Sequence, residues 1–361
     1  MLTLGSAGCA ARRGRPHKGA PPPAYVTGGK PSKPVALPPT KEVDSVAASA
    51  LREKALEVIE SCAGDPNPFV RGNAMEAAAL APARTSAIVK RGLVDESPVV
   101  RSIAAMSVGR SHLSELVPEV RVLLDDQSER AEYVKSAAMY ALFRSGEYVD
   151  LSPMADWLLH GAQVSLRSHV AFLLGELADS SAVPLLQQAA RMSVAGATPS
   201  ELKLMQLQIA EALIKLGQQD QLPVVRAALY PSRAEDLEST ALAVQILGQV
   251  RDRAAEDELI FLAERRDRQG REMPAEVRLA AASTLARLGR PRGDFIADEY
   301  VQNSSPAIRA QAAQVYGDTG KNTNLSRLAD LMKDPDGGVR VAAAAAILKI
   351  EGSGAGIASQ R

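Results

Sequence analysis

Aromatic residues are scarce in this chain, 4% of 361, with a single Trp. Helices that pack here must therefore close on small side chains, and Ala, the best helix former, supplies them. Cysteine occurs twice, at Cys9 and Cys62, which excludes a disulfide framework and a multi-cysteine zinc site. Cys62 falls at the end of the first predicted helix and reads as a buried thiol. There is no run of about 20 apolar residues, so no stretch of the sequence is built to cross a bilayer as a helix. Acids are missing before Glu42, where Arg12, Arg13, Arg15, Lys18, Lys30, Lys33 and Lys41 supply seven of the 42 bases. The remainder holds 35 bases against 42 acids, a net charge of −7. An acidic body argues against a nucleic-acid groove, which has to neutralise phosphates.

What the chain does have is a recurring phrase. It reads Asp65-Pro66-Asn67-Pro68-Phe69-Val70-Arg71, then Asp95-Glu96-Ser97-Pro98-Val99-Val100-Arg101. It returns as Asn303-Ser304-Ser305-Pro306-Ala307-Ile308-Arg309 and Asp334-Pro335-Asp336-Gly337-Gly338-Val339-Arg340. An acid or amide stands six residues before an Arg, and an Ala-rich stretch follows. Aligning on that residue gives nine anchors: Arg71, Arg101, Lys135, Arg167, Lys203, Glu238, Arg278, Arg309 and Arg340, spaced by 30 to 40 residues. A period in that range means one helical hairpin per repeat. Gly175, Gly217, Gly248 and Gly289 read as stops where second helices end with φ > 0. The predicted fold is all-α, a right-handed superhelix of about nine hairpins over residues 41–351. A Pro-rich basic linker over 10–40 precedes it and a Gly-rich flexible tail over 352–361 follows it.

These repeats resemble HEAT repeats, of the bacterial type also found in phycobilisome-lyase-like proteins. The likeness is greatest in the first two and last two repeats. It implies that the acid before each second helix and the Arg within it bond across neighbouring repeats. Asp65 with Arg71, Asp95 with Arg101 and Asp334 with Arg340 match, and Asn303 with Arg309 is an amide variant. Glu238 stands where a base belongs, so the ladder is expected to break at the sixth repeat.

Residues 1–9 resemble the end of a bacterial lipoprotein signal, with Ser6-Ala7-Gly8-Cys9 as the lipobox and Cys9 as the lipidated residue. A start upstream of Met1 would supply the missing basic and apolar regions of such a signal. The alternative is an ordinary terminus, and Arg12 and Arg13 just past the site disfavour export. Cell envelope and cytoplasm therefore both stand as compartments, with lipid as the only route to a membrane.

Little in the sequence points to chemistry. His17, His112, His160 and His169 lack metal-ligand spacing, and none is followed by Glu, so the His-Glu pairs of HEAT-like hydroxylases are missing. There is no phosphate loop and no nucleophile elbow. No catalytic residue, cofactor or metal is expected, and no residue is present to carry bilin attachment. The basic anchors read as a structural ladder. The function expected is protein–protein interaction through the concave face. Alternatives are a lyase- or chaperone-like protein acting on a bound cofactor or client, and a purely structural envelope lipoprotein. Residues one and five after each anchor should line the groove: Gly72, Ser102, Ser136, Ser168 and Leu204, with Glu76, Met106, Tyr140, Phe172 and Gln208. The candidate partner contacts are Glu76, Met106, Tyr140 and Phe172, in a lining suited to a peptide or helix. Tyr133, Tyr140, Phe143, Tyr148, Trp157 and Phe172 cluster in repeats three and four, either as a hot spot or as filler between hairpins.

Overall fold

The computed structural model describes residues 43–231, 233–264 and 272–358. Among them lie eighteen α-helices and no strand. They pair into nine hairpins, each an outer helix followed by an inner one. The first three are α1 (Ser45–Cys62) with α2 (Pro68–Ala78), α3 (Pro82–Gly92) with α4 (Pro98–Ser111), and α5 (Val117–Asp125) with α6 (Glu132–Arg144). The next three are α7 (Ser152–His160) with α8 (Val164–Leu177), α9 (Val183–Ala190) with α10 (Pro199–Lys215), and α11 (Leu222–Ala227) with α12 (Leu237–Gln249). The last three are α13 (Glu256–Glu264) with α14 (Ala275–Arg287), α15 (Asp294–Tyr300) with α16 (Pro306–Thr319), and α17 (Leu325–Leu331) with α18 (Gly337–Ala358). All nine anchors fall in the first five residues of an inner helix. The last helix continues through Gly352–Gly356, the stretch assigned above to a tail.

The recurring phrase builds the turn within each hairpin. Its acid or amide side chain accepts from the backbone two residues on: Asp65 from Asn67 at 2.9 Å, Asp95 from Ser97 at 2.8 Å, Asn303 from Ser305 at 2.9 Å and Asp334 from Asp336 at 2.9 Å. Pro at the first helical position of α2, α4 and α16 then starts the inner helix with φ already fixed. In the fifth hairpin Thr198 and Glu201 do the same work as a capping box.

Seven of the inner helices, α4 to α16, share one exit device. His112, Gly146, Ala178, Gly217, Arg251, Gly289 and Gly320 all take positive φ, at 51°, 80°, 59°, 94°, 56°, 93° and 67°. Gly217 and Gly289 thus act as the stops the sequence implied. Gly175 and Gly248 do not, since both lie inside their helices. Their role is close approach: a Cβ on Gly175 would sit 2.7 Å from Ala212 Cα, and one on Gly248 would sit 2.8 Å from Thr284 Oγ1. Gly317 meets Ala346 Cα in the same way, at 2.9 Å. Scarce aromatics and abundant Ala are read out here as backbones in near contact.

The stack does not remain open. α18 packs on α1 and α2, so the ninth hairpin lies against the first and the solenoid closes into a ring. At this seam a Cβ on Gly337 would fall 2.8 Å from Val70 Cγ1 and 2.9 Å from Asp65 Oδ2. Cys62 Sγ lies 3.9 Å from Gly337 O and 3.9 Å from Arg340 Nη2. One apolar cluster holds Ala55, Ile59 and Val70 of the first hairpin together with Val339, Ala343 and Ile347 of the last. The open concave groove expected from the repeats is therefore replaced by a closed bore. Two of the inner helices are buried over long stretches, α14 from Val277 to Ala286 and α6 from Ser136 to Leu142.

Two consequences can be measured by denaturant unfolding. Ile59→Ala, at a fully buried seam position, should cost about 2–5 kcal/mol. Ala178→Gly should instead stabilise, by about 1 kcal/mol, because it relieves a left-handed backbone at a residue with a Cβ.

Candidate functional site

The recurring grammar of the turns ends in a ladder of arginines. Arg71 donates through Nε and Nη2 to both carboxylate oxygens of Asp95, each at 2.8 Å, and through Nη1 to the carbonyl of its own Asp65 at 2.9 Å. Arg309 repeats this on Asp334 at 2.8 Å and on its own Asn303 carbonyl at 2.8 Å. Arg101 reaches Glu129 at 2.8 Å and the carbonyl of Asp95 at 2.7 Å. Each guanidinium thus ties its own turn to the carboxylate of the next repeat, using the fork geometry that suits Arg to the task. Lys203 makes a simpler rung to Asp236 at 3.0 Å, and Arg278 bonds Glu299 at 2.7 Å and Glu272 at 2.6 Å.

At the sixth repeat the ladder changes as Glu238 implied. There Arg226, from the outer helix α11, forks onto Asp252 at 2.7 Å through both bonds. At the seam Arg340 holds its own turn through the carbonyls of Asp334 and Pro335, both at 3.0 Å, and meets Cys62 rather than a carboxylate. Burial and the Arg340 charge pull the Cys62 thiol in opposite directions; burial is the larger effect and pushes its pKa up. Arg71, Arg101, Lys203, Arg278 and Arg309 thus tie one repeat to the next, whereas Arg167 bonds only the carbonyl of Gly161 in its own turn, at 2.7 Å.

A second polar layer runs near the C-terminal ends of the inner helices. Arg110 of α4 donates to Glu76 of α2 at 3.3 Å and lies over the Phe172 ring of α8 at 5.5 Å. Lys215 of α10 covers the same ring at 5.0 Å and donates to Glu176 at 2.6 Å, Glu211 at 2.5 Å and Gln249 at 3.2 Å. On the far side Asp318 of α16, with a side chain 1% exposed, accepts from Ser283, Arg287 and Lys349. Burial raises the Glu211 pKa. Burial also works against the charge of Lys215, but the Glu211 and Glu176 carboxylates outweigh it and raise the Lys215 pKa.

The residues expected to contact a partner occupy this layer, but little of them is open. Tyr140 is 1% exposed and packs against Gly109, so its ring offers no surface. Glu76 is 8% exposed, while Met106 and Phe172 are half-buried against the core. Tyr133, Phe143 and Trp157 also pack on the core, so the aromatic cluster of repeats three and four mostly fills space between hairpins. Tyr148, 89% exposed in the loop after α6, is the exception. His169 Nε2 is shielded and without a partner, and burial lowers the His169 pKa to about 4, so the ring is neutral. Among the described residues no three His, Cys, Asp or Glu side chains are grouped to hold a metal ion. Cys9 lies outside the described residues.

Sequence reasoning missed the outer wall. Val224 on α11, Tyr230 after it, Phe261 on α13 and Phe295 on α15 are 48%, 64%, 47% and 48% exposed. Their signal was an aromatic or β-branched residue on the polar stripe of an outer helix.

The ladder predicts an acid limit. Burial acts to raise the carboxyl pKa of Asp95 and Asp334, but the hydrogen bonds from Arg71 and Arg309, with the Ser97 and Asp336 amides, hold both below the ordinary 3.8. A depressed folded pKa contributes stability that is complete above the unfolded value and is lost as pH falls through the folded one. The melting temperature should therefore drop as pH falls below about 4, and Asp334→Asn should flatten that drop while lowering stability at neutral pH.

A family profile described as HEAT repeats matches residues 269–349. No curated protein matches the chain in sequence. Among solved structures, the complex of CpcE and CpcF of phycocyanin lyase from Nostoc sp. PCC7120 is 18% identical. That likeness covers 73% of this chain and 94% of that one, with a TM-score of 0.34. Human deoxyhypusine hydroxylase in complex with glycerol is 16% identical over 84% of this chain and 98% of that one, with a TM-score of 0.35. An engineered protein is 15% identical over 86% and 92%, with a TM-score of 0.33. At such TM-scores no activity carries over from any of them. The matched segment spans α14 to α18, and the same turn and rung recur in the first two hairpins. The chain is an all-α stack of hairpins whose residues 269–349 match HEAT repeats.

Proposed function

We propose that the protein is a non-catalytic interaction scaffold that takes a protein or peptide partner on the outer wall of its ring. The observation that supports this is the exposed row of Val224, Tyr230, Phe261 and Phe295 along three consecutive outer helices. Large rings are few in this chain, and partly exposed aromatics are the side chains most often at the centre of binding surfaces. The bore is the poorer candidate, because its cations and carboxylates already satisfy one another and its aromatic positions are half or wholly buried.

Photo-crosslinking tests this in the native cell. A benzophenone amino acid at Phe295 should give one reproducible protein adduct, lost on adding Tyr230→Ser with no change in melting temperature. No adduct from the wall, together with one from a bore position such as Met106, would contradict it.

The lipobox-like Ser6-Ala7-Gly8-Cys9 supports a second element of the proposal, that the scaffold is held at the cell envelope by lipid on Cys9. The Pro-rich segment over 10–40 would then act as a spacer. Intact mass of the native protein should show an N-terminus at Cys9 carrying diacylglycerol, and a soluble form that keeps Met1 would contradict the anchor.

A further inference from the structure

Inner helices in a stack of hairpins all run the same way, so the loops leaving them gather on one rim of the ring. Charge is segregated along that rim. The loops at residues 112–116, 145–151, 178–182 and 216–221 carry Glu115, Glu147, Asp150, Asp179 and Asp220 and no Lys or Arg. The next three loops, at 250–255, 288–293 and 320–324, carry Arg251, Arg253, Arg290, Arg292 and Lys321. Their one acid, Asp252, is buried in its pair with Arg226. Neighbouring elements offset part of each half: Arg121 lies 3.3 Å from Glu147, Glu256 holds Arg290 at 2.7 Å and Asp294 holds Lys321 at 2.7 Å. Glu115, Asp150 and Asp220 remain exposed on one side, and Arg251, Arg253 and Arg292 on the other. The loop between the first two hairpins, Ala79-Leu80-Ala81, is neutral.

We propose that this rim is a self-complementary surface on which two copies of the chain meet face to face. A twofold axis lying in the rim plane turns one ring over and sets its acidic half on the basic half of the other. The reverse contact follows automatically, which is the condition an isologous dimer must meet. Tyr148, 89% exposed in the middle of the acidic half, then faces the arginines of the second copy, a cation–π arrangement. The outer wall stays free in such a dimer, so the scaffold would present two partner sites. Failure of this dimer leaves the reading of the wall untouched.

Sedimentation velocity of the full-length chain, under reducing conditions, tests the proposal. A dimer is expected at low salt, with association weakening at least tenfold by about 0.5 M NaCl, where the Debye length falls to a few ångströms. Arg251→Glu/Arg253→Glu/Arg292→Glu and, separately, Glu115→Lys/Asp220→Lys should each sediment as a monomer with an unchanged melting temperature. Mixing the two should restore a dimer, because the all-acidic rim then meets a rim whose basic half is intact and whose acidic half has lost two acids to Lys. A monomer at every salt concentration, a dimer indifferent to salt or to both charge reversals, or a mixture that stays monomeric would overturn it.

Discussion

Where α18 lies against α1 and α2, Gly337 leaves room for Val70, and Cys62 fits beneath Arg340. This contact decides what kind of surface the protein has. An open solenoid exposes a stacking face at each end and needs polar capping repeats to stay soluble. Here the first and last hairpins cap each other. The apolar cluster passes through the seam, and α18 can be buried from Val341 to Leu348 because α1 covers it. The same closure removes the concave groove by which open stacks usually bind, and moves accessible surface to the wall and the rims.

Two sets of polar contacts then tie neighbouring hairpins to one another. The rungs lie at the starts of the inner helices, where a fork of Arg onto the next repeat's carboxylate also satisfies carbonyls of its own turn. The second layer lies at their ends, where Lys215, Arg110 and Asp318 each gather partners from more than one helix. Buried charges of this kind are costly to leave unpaired, so they specify which helix lies beside which. Between the layers, contact is made by Ala and Gly at distances that admit no larger side chain. The charges of the bore are therefore already paired with one another.

Much of this was legible in the sequence, because it depends on local spacing. The position of the second helix in the first two and last two repeats followed from the six-residue interval between acid or amide and Arg, since that interval is one turn and the start of one helix. The break at Glu238 was visible for the same reason. Ring closure was not visible, because it is a contact between residues some 270 apart with no local pattern to mark it. One sign was available: Val339-Arg340-Val341-Ala342-Ala343 continues an apolar helix with no polar face, where a terminal repeat should be capped. The groove residues followed from helical periodicity, which says which side faces inward but not how far the opposite wall stands. Tyr140 shows the limit of that reasoning, since Gly109 opposite lets its ring sink into the core. Gly175 and Gly248 show another, because a glycine near a helix end looks the same whether it stops the helix or admits a neighbour.

The central claim is that the ends meet. Spin labels attached through Ser61→Cys and Lys333→Cys, with Cys9→Ser and Cys62→Ala, would measure it by electron–electron dipolar distance. Both sites are exposed and stand on the two sides of the seam. The ring predicts a single narrow distribution below about 30 Å, whereas nine hairpins stacked about 9–10 Å apart in an open array would separate the labels by more than about 50 Å. A broad distribution at that longer distance would contradict the closed ring.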